Sequence, residues 1–499
     1  GASEDELTDF YASFTGASAD LGALTHEKKM LIMRRVMAGD IARLTREFLR
    51  TVDPWGADPD DAMDEARVAL AEVIAALHVY RTYVLPDGSA HDSDETILRD
   101  ASASARDRAP HVSPVVFDRV EEALLTWDEP KNREFLMRFQ QATGPIMAKG
   151  VEDTVFYNFN RFVALNEVGG DPGAFGTKIG DFHDAASRAS AGHPLSMLGS
   201  STHDTKRSED VRARLAVLAE IPGAWAAAVE RWSQMAARHR QGNLPDRNTE
   251  YLLWQTLVGA WPLDAERVTS FLTKAMREAK RYTSWLDQKP AYENATLSFT
   301  RSVMGDEDIV DDIRSFVAPL ISPGRVNSLT QTLIKLTYPG VPDTYQGTEL
   351  WNLSLVDPDN RRPVDYELRR DLLKQALTVE AAEAWERADE GLPKMFLIAR
   401  ALDLRARRPQ AFGKDSPYEA IPSDGALADR IVGYTRAGEV AVVVPRLPLT
   451  TQREGWGDTV VELPPGRWRD EFTEADFSGG RLSAPELLSA FPVALLVRS

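Results

Sequence analysis

The sequence predicts an α/β protein: long helical stretches, a few strands that run into charged loops as barrel strands do, and a small antiparallel β-domain at the end. Three observations predict it. Residues 197–202 carry no charge, and His203, Asp204, Lys206, Arg207, Glu209 and Asp210 then place six ionisable groups in eight positions. A strand leaving a barrel for an active-site loop has that pattern. The apolar run 329–337, helix or strand by its own pattern, passes in the same way into Tyr338-Pro339-Gly340-Val341-Pro342-Asp343-Thr344-Tyr345-Gln346-Gly347-Thr348-Glu349. After about residue 425 the apolar period changes from helical to strand-like.

At 499 residues the chain has room for about three domains. There are 58 Lys+Arg against 76 Asp+Glu, a net charge of -18. Nucleic acid and anionic membrane surfaces need basic patches, so neither is expected as a partner. An uncharged substrate such as a glucan is compatible with that balance. With no cysteine, disulfides, thiolate catalysis and Cys-ligated zinc are excluded. No apolar run reaches the roughly 20 residues that span a bilayer. Residues 1–6 are polar and acidic rather than a signal peptide, so the cytoplasm is the expected compartment.

The first 140 residues read as helices. Ile41, Leu44 and Phe48 keep helical spacing, as do Leu70, Val73, Ile74 and Leu77. Asp53-Pro54-Trp55-Gly56 and Asp58-Pro59 break the chain between them. Ser113-Pro114 starts a helix with Phe117, Val120 and Leu124 on its apolar face. The next carries Phe135 and Phe139 and is expected to stop at Gly144-Pro145. His26 and His78 read as packing or surface residues.

The short run Ile146-Met147-Ala148 leads into Lys149-Gly150-Val151-Glu152-Asp153-Thr154, and Phe156, Tyr157, Asn158, Phe159 and Asn160 follow. A lysine ahead of two carboxylates, with aromatics and amides close behind, fits either a sugar site or a salt-bridged loop over an aromatic core. His203-Asp204 is likewise either reactive or part of a solvated charge run capping a helix. Residues 206–320 return to helix: Val211, Leu215 and Leu218 form a stripe, and Pro245-Asp246-Arg247-Asn248-Thr249-Glu250 gives a turn and cap before Tyr251-Leu252-Leu253-Trp254. Trp225, Trp232, Trp254 and Trp285 are expected mostly in the core. Asp357-Pro358-Asp359-Asn360-Arg361-Arg362-Pro363-Val364-Asp365 is a charge-dense turn. Residues 431–435 and 440–444 form a hairpin about Ala437-Gly438, and 458–463, 467–472 and 491–497 continue the sheet.

Several strings resemble the maltooligosyltrehalose synthases, members of the α-amylase group of glycoside hydrolases. They are Met147-Ala148-Lys149-Gly150-Val151-Glu152-Asp153-Thr154, Leu165-Asn166-Glu167-Val168-Gly169-Gly170-Asp171-Pro172 and Ser201-Thr202-His203-Asp204-Thr205-Lys206-Arg207-Ser208-Glu209-Asp210. Asn248-Thr249-Glu250-Tyr251-Leu252-Leu253-Trp254-Gln255-Thr256 and Pro342-Asp343-Thr344-Tyr345-Gln346-Gly347-Thr348-Glu349 belong with them. His-Asp at a strand end and the Tyr-x-Gly-x-Glu loop are shared with the wider group; here only Asp343 and Thr344 separate the proline from Tyr345. The Lys-Gly-x-Glu-Asp-Thr and Thr-Lys-Arg-Ser-Glu-Asp strings are much narrower.

The resemblance implies part of a (β/α)8 barrel, strands six to eight, with large helical insertions and the C-terminal antiparallel β-domain. The implied division is a helical insertion at 1–140, strands six and seven with active-site loops at 141–205, a second helical insertion at 206–320, strand eight and following helices at 321–424, and the β-domain at 425–499. The group's nucleophile and general acid come from strands four and five, in Gly-x-Arg-x-Asp and Glu-containing motifs. No such Gly-x-Arg-x-Asp precedes the strands identified here, so residue 1 is expected to fall after strand five. The upstream part of the same enzyme is then needed to complete the barrel.

The implied reaction turns the reducing-end α-1,4 link of a maltooligosaccharide into an α,α-1,1 trehalose link by a retaining double displacement, with no metal or organic cofactor. By the resemblance Asp204 stabilises the transition state and His203 donates to the same sugar. Lys149 and Glu152 surround the retained glucose, Tyr157 offers a stacking face, Arg207 orients Asp204 or a neighbouring carboxylate, and Arg361 contacts glucose. Two alternatives stay open: an α-glucan hydrolase or 4-α-glucanotransferase of the same group, and a catalytically incomplete glucan-binding fragment.

Overall fold

The computed structural model describes residues 2–52, 55–56 and 58–499. The expected chain break at Asp53-Pro54 therefore lies outside the described residues. The chain forms two compact units: Gly1–Ala17 with Arg161–Lys274 and Pro290–Ser499, and Ser18–Asn160 with Ala275–Lys289. The first helix, Ala2–Thr15, thus leaves the expected 1–140 block. Its Tyr11 packs on Tyr251 at 5.6 Å and donates to Asn248, so burial of an aromatic face decides its unit.

The smaller unit is built on the helices Leu21–Arg35, Ala38–Thr51, Pro59–Ala76, Asp92–Arg108, Pro114–Leu125 and Pro130–Met147. The apolar stripes read from the sequence converge: Ile41, Leu44, Phe48, Leu70, Val73, Ile74, Phe117, Val120, Leu124, Phe135 and Phe139 share one core. Asp58 caps the helix at Pro59, accepting from the Asp60 amide. The helix with Phe135 does not stop at Gly144-Pro145. It continues through Pro145 to Met147 and into a five-residue π-helix, Ala148–Glu152. Ile146 is fully buried, and packing it keeps the chain helical through a proline that removes one amide donor; the wider turn follows directly.

In the larger unit Trp225, Trp232 and Trp254 are buried, with ring centroids 6.0 and 5.7 Å apart along the series. They form the expected core. Trp285 does not: it is 48% exposed and belongs to the other unit. The run 329–337 is the end of one long helix, Glu307–Thr337, because Leu329, Leu333 and Leu336 fall on one buried helical face. The strands are β1 (Met197–Gly199) and β2 (Val341–Asp343), paired in parallel with Met197 opposite Val341. Residues 141–205, where two strands are expected, hold β1, and 146–148 lie in helix. Gly340 leads into β2 at φ +150, where an added Cβ would sit 2.6 Å from the Leu198 side chain.

The C-terminal sheet comprises β3 (Tyr418–Ile421), β4 (Ser423–Asp424), β5 (Ile431–Arg436), β6 (Val440–Pro445), β7 (Val460–Asp470), β8 (Asp476–Ser483) and β9 (Ala494–Arg498). The order is β3-β5-β6-β9-β7-β4, with β8 on β7. It starts at Tyr418, ahead of the expected 425. The β5–β6 turn has positive φ at both Ala437 and Gly438, the mirror-image turn that matches strand twist. Segments 458–463 and 467–472, read as two strands, are one strand with a register shift between Leu463 and Arg467. The partner β8 was not anticipated; its Gly479-Gly480 centre has no alternating pattern. Among the described residues no helix is long and apolar enough to cross a membrane.

Two outcomes follow. Gly340→Ala combines a left-handed φ with a steric overlap, and should lower unfolding stability in denaturant by about 1–3 kcal/mol. Asp470 is fully buried at the end of β7, accepting from the Phe472 amide and the Thr473 hydroxyl. Burial pushes its carboxyl up from 3.8 to about 7. The folded state therefore binds this proton more tightly, so its contribution is full below about pH 4 and is lost as pH rises through about 7. The difference in melting temperature between the parent and Asp470→Asn should move in the variant's favour over that window.

Candidate active site

The loop after β1 carries His203 and Asp204. It is shaped by its own polar groups: the Asp204 amide donates to the Thr202 hydroxyl at 3.2 Å, and the Thr205 hydroxyl to the Thr202 carbonyl at 2.9 Å. A second clamp comes from the loop that follows β2. Asn360 Nδ2 donates to the carbonyls of Thr202 (3.3 Å) and His203 (3.1 Å), and Tyr345 donates to the Asn360 carbonyl at 3.2 Å. Two parallel strands thereby deliver two loops that meet at one end.

His203 Nε2 lies 3.3 Å from Asp204 Oδ2, and both side chains are 65% exposed. Arg361 Nη2 is 3.9 Å from Asp204 Oδ1, 3.8 Å from Asp357 Oδ2, and donates to the His203 carbonyl at 3.5 Å. The guanidinium beside Asp204 is thus that of Arg361. Arg207 is buried; it donates to the Val163 carbonyl and lies over the Phe271 ring at 5.7 Å. It serves the seat of the loop, alongside Glu167. Glu167 accepts from the amides of Lys206 (2.8 Å) and Arg207 (3.1 Å) and from Arg212 Nη1 (3.0 Å). Its position in the Leu165-Asn166-Glu167 string was legible; this carboxylate's hold on two successive backbone amides was not.

Beneath the loop lies a buried charge cluster. Lys394, on the helix Leu392–Arg407, is fully buried and meets Asp210 at 2.9 and 3.0 Å and Glu209 at 2.6 Å. Lys335 is 3.6 Å from Glu209, and Ser200, the first residue after β1, donates to Glu209. Asp210 also accepts from the Asn352 amide at 2.6 Å. Burial would raise the Glu209 carboxyl, but Lys394 and Lys335 outweigh it and hold Glu209 below the carboxylate range. Burial, with the Glu209 charge, lifts Asp210. Lys394, which burial alone would lower, is raised by both carboxylates. The narrow string thus encodes a scaffold: Thr205 shapes the turn, Lys206 and Arg207 lend their amides to Glu167, Ser208 stands at the N-terminal boundary of the helix Glu209–Ala216, and Glu209-Asp210 anchor it.

The charged turn is fastened in the same manner. Arg267 binds both oxygens of Asp359 at 2.8 Å and the Leu353 carbonyl at 2.9 Å, and Lys274 pairs with Asp357. Burial raises Asp359, but its bonds to Arg267 and the Leu355 amide bring it below the ordinary range.

The other motif lies in the smaller unit. Lys149 Nζ pairs with Asp153 Oδ2 at 2.7 Å across the π-turn, and its side chain is 56% exposed. Tyr80 donates to Glu152. Gly150 has a packing reason: a Cβ there would lie 2.9 Å from Lys29 Cγ. Tyr157 is 4% exposed, so its ring is interior in this structure, not an open stacking face. Among the described residues no group of three or more His, Cys, Asp or Glu is arranged to hold a metal. An exposed carboxylate with an imidazole and a guanidinium at its side can accept hydroxyls and oppose developing positive charge.

No protein-family model matches the chain. A curated Mycobacterium tuberculosis protein named maltooligosyl trehalose synthase is 38% identical over 409 residues, 81% of this chain and 50% of its own length. The solved maltooligosyltrehalose synthase of Arthrobacter ramosus is 36% identical with a TM-score of 0.87, covering 100% of this chain and 61% of its own. A structure described as a hypothetical maltooligosyl trehalose synthase of Sulfolobus tokodaii is 28% identical with a TM-score of 0.76, over 99% and 60%. The chain spans about half the length of the curated relatives it matches. It is homologous to the maltooligosyltrehalose synthases in sequence and in fold.

Lys394→Met should leave Glu209 and Asp210 buried without their shared counter-charge. A loss of about 3–5 kcal/mol in unfolding free energy is expected from denaturant titration.

Proposed function

We propose that this chain serves the reaction of the maltooligosyltrehalose synthases, turning the reducing-end α-1,4 link of a maltooligosaccharide into an α,α-1,1 link. The observation that carries the reading is the exposed His203-Asp204 pair, held by two loops from parallel strands, within a chain homologous to those enzymes. In this reading β1 and β2 are strands of a (β/α)8 barrel, and chemistry sits at their C-terminal ends.

The reaction is a retaining double displacement. A carboxylate attacks the anomeric carbon of the penultimate glucosyl unit while a general acid protonates the leaving O4 of the terminal glucose. That glucose stays, turns, and presents its own anomeric hydroxyl. The conjugate base removes the hydroxyl proton, and O1 attacks the same carbon and displaces the carboxylate. Two inversions retain the α configuration. Nucleophile and general acid come, by the family pattern, from barrel strands four and five, which these 499 residues do not contribute. Completing the site requires that part of the enzyme.

Asp204 accepts ring hydroxyls of the distorted sugar and stabilises positive charge as the oxocarbenium character grows, an interaction stronger in the transition state than before it. His203 donates to a hydroxyl of the same sugar. Arg361, close to Asp204, aims that carboxylate. Holding the retained glucose against exchange with water separates a synthase from a hydrolase. The two narrow strings favour the synthase over the hydrolase reading.

The test is one incubation of the complete enzyme with maltopentaose, following reducing ends and free glucose together. Loss of reducing ends with little glucose is expected; glucose rising in step with cleavage would make the protein a hydrolase. Asp204→Asn should reduce turnover by about 10²-fold or more while circular dichroism stays unchanged. Near-parental turnover would remove Asp204 from the chemistry.

A further inference from the structure

The smaller unit contains a cavity of about 340 Å³ that none of the motif strings accounts for by itself. One wall is the segment 278–287, outside every string recognised in the sequence; another is the helix Leu21–Arg35; Lys149 closes a third side. Its rim concentrates exposed apolar surface: Tyr282 is 43% exposed, Trp285 48% and Leu286 90%. Large apolar side chains gathered in this way around a concavity mark binding surface more often than chance exposure.

Trp285 is also held. Its Nε1 donates to Glu278 Oε1 at 3.0 Å, and the Arg277 guanidinium lies 5.0 Å from its ring centroid. An exposed indole fixed by a hydrogen bond and a cation loses little freedom when a ligand arrives. Polar groups converge beside it. Lys280 Nζ bonds Glu278 Oε2 (3.2 Å), the Asp153 carbonyl (3.1 Å) and the Thr154 hydroxyl (2.9 Å), tying this segment to the Lys149 motif. Of the four cations on its lining, Lys149 pairs with Asp153 and Lys280 with Glu278, and Arg35 and Arg281 line it as well. Ammonium and guanidinium donors beside a carboxylate suit the hydroxyls of a polyhydroxylated ligand. Fixed aromatic surface covers the C–H face of a pyranose, while carboxylates and ammonium groups take its hydroxyls.

We propose that this cavity binds a glucosyl unit of an α-1,4-glucan, with Trp285 as the stacking face and Glu278, Lys280 and Lys149 holding hydroxyls. The proposal deepens the glucan reading above and rests on it for the ligand class. It moves the stacking role expected of Tyr157 to a residue expected in the core.

The test is titration of the 499-residue chain with maltotriose by calorimetry, beside Trp285→Ala, Trp285→Phe and Asp204→Asn. Trp285 is half exposed, so its replacement should leave the melting temperature near the parent's. Trp285→Ala is expected to weaken binding about tenfold and Trp285→Phe to recover most of it. If Trp285→Ala binds as the parent does while Asp204→Asn loses binding, the cavity assignment falls and the glucan reading stands. If the parent binds glucose 6-phosphate more tightly than maltotriose, the cavity is an anion site and the assignment falls. If the parent binds no maltotriose, the assignment falls as well, and the maltopentaose experiment decides the reaction independently.

Discussion

Two carboxylates and two ammonium groups share one dry volume under the His203-Asp204 loop, and the larger unit is arranged around that constraint. Glu209 and Asp210 begin a helix, Lys335 comes from the long helix that ends before β2, and Lys394 from a helix further on. Each charge is tolerable there only because the others are present; one removed leaves a buried ion without a partner. The cluster therefore sets the relative placement of three helices. Through the Ser200 hydroxyl on Glu209 it also sets where the chain leaves β1.

Above the cluster the polar groups are used differently. Glu167 collects the Lys206 and Arg207 amides, and Arg267 takes both oxygens of Asp359. These groups are buried or half-buried and spend their bonding capacity on backbone and counter-ions. His203 and Asp204 remain exposed, with the His203 carbonyl and the Asp204 amide bonded but both side chains turned to solvent. Fixing the backbone while leaving the functional atoms open is what preorganisation requires of the role proposed for Asp204. The Arg361 guanidinium is the bridge between the two layers, since it reaches Asp204, Asp357 and the His203 carbonyl together.

Where local pattern and burial agreed, the fold was legible. The stripes through Ile41, Leu70, Phe117 and Phe135 marked helices whose faces do pack, and the 431–445 hairpin followed from its period and its Ala437-Gly438 turn. It failed where a residue's fate hung on partners distant in sequence. The 329–337 run is compatible with strand or helix, and only the neighbours buried against Leu329, Leu333 and Leu336 decide for helix. Pro145 looked like a stop, yet burial of Ile146 carries the helix past it. In the candidate site, Asp204 and His203 were readable as a charged pair after an apolar strand. Arg361 was only one arginine of a charged turn, and nothing local distinguished it from Arg207 as the neighbour of Asp204.

By itself the sequence marked the candidate residues, the His-Asp pair and the two narrow charged strings, and it excluded any thiol. It also determined the helical stripes and the hairpins, because those patterns depend on periods of two to four residues. Tertiary structure decided how each charge is used. Glu209, Asp210, Asp204 and Glu152 are indistinguishable as letters, and only burial and partners make the first two a scaffold while Asp204 stays open to solvent. It decided as well that Tyr157 lies inside and Trp285 at a cavity rim, since exposure depends on which surfaces the remote segments 275–289 and 18–160 cover.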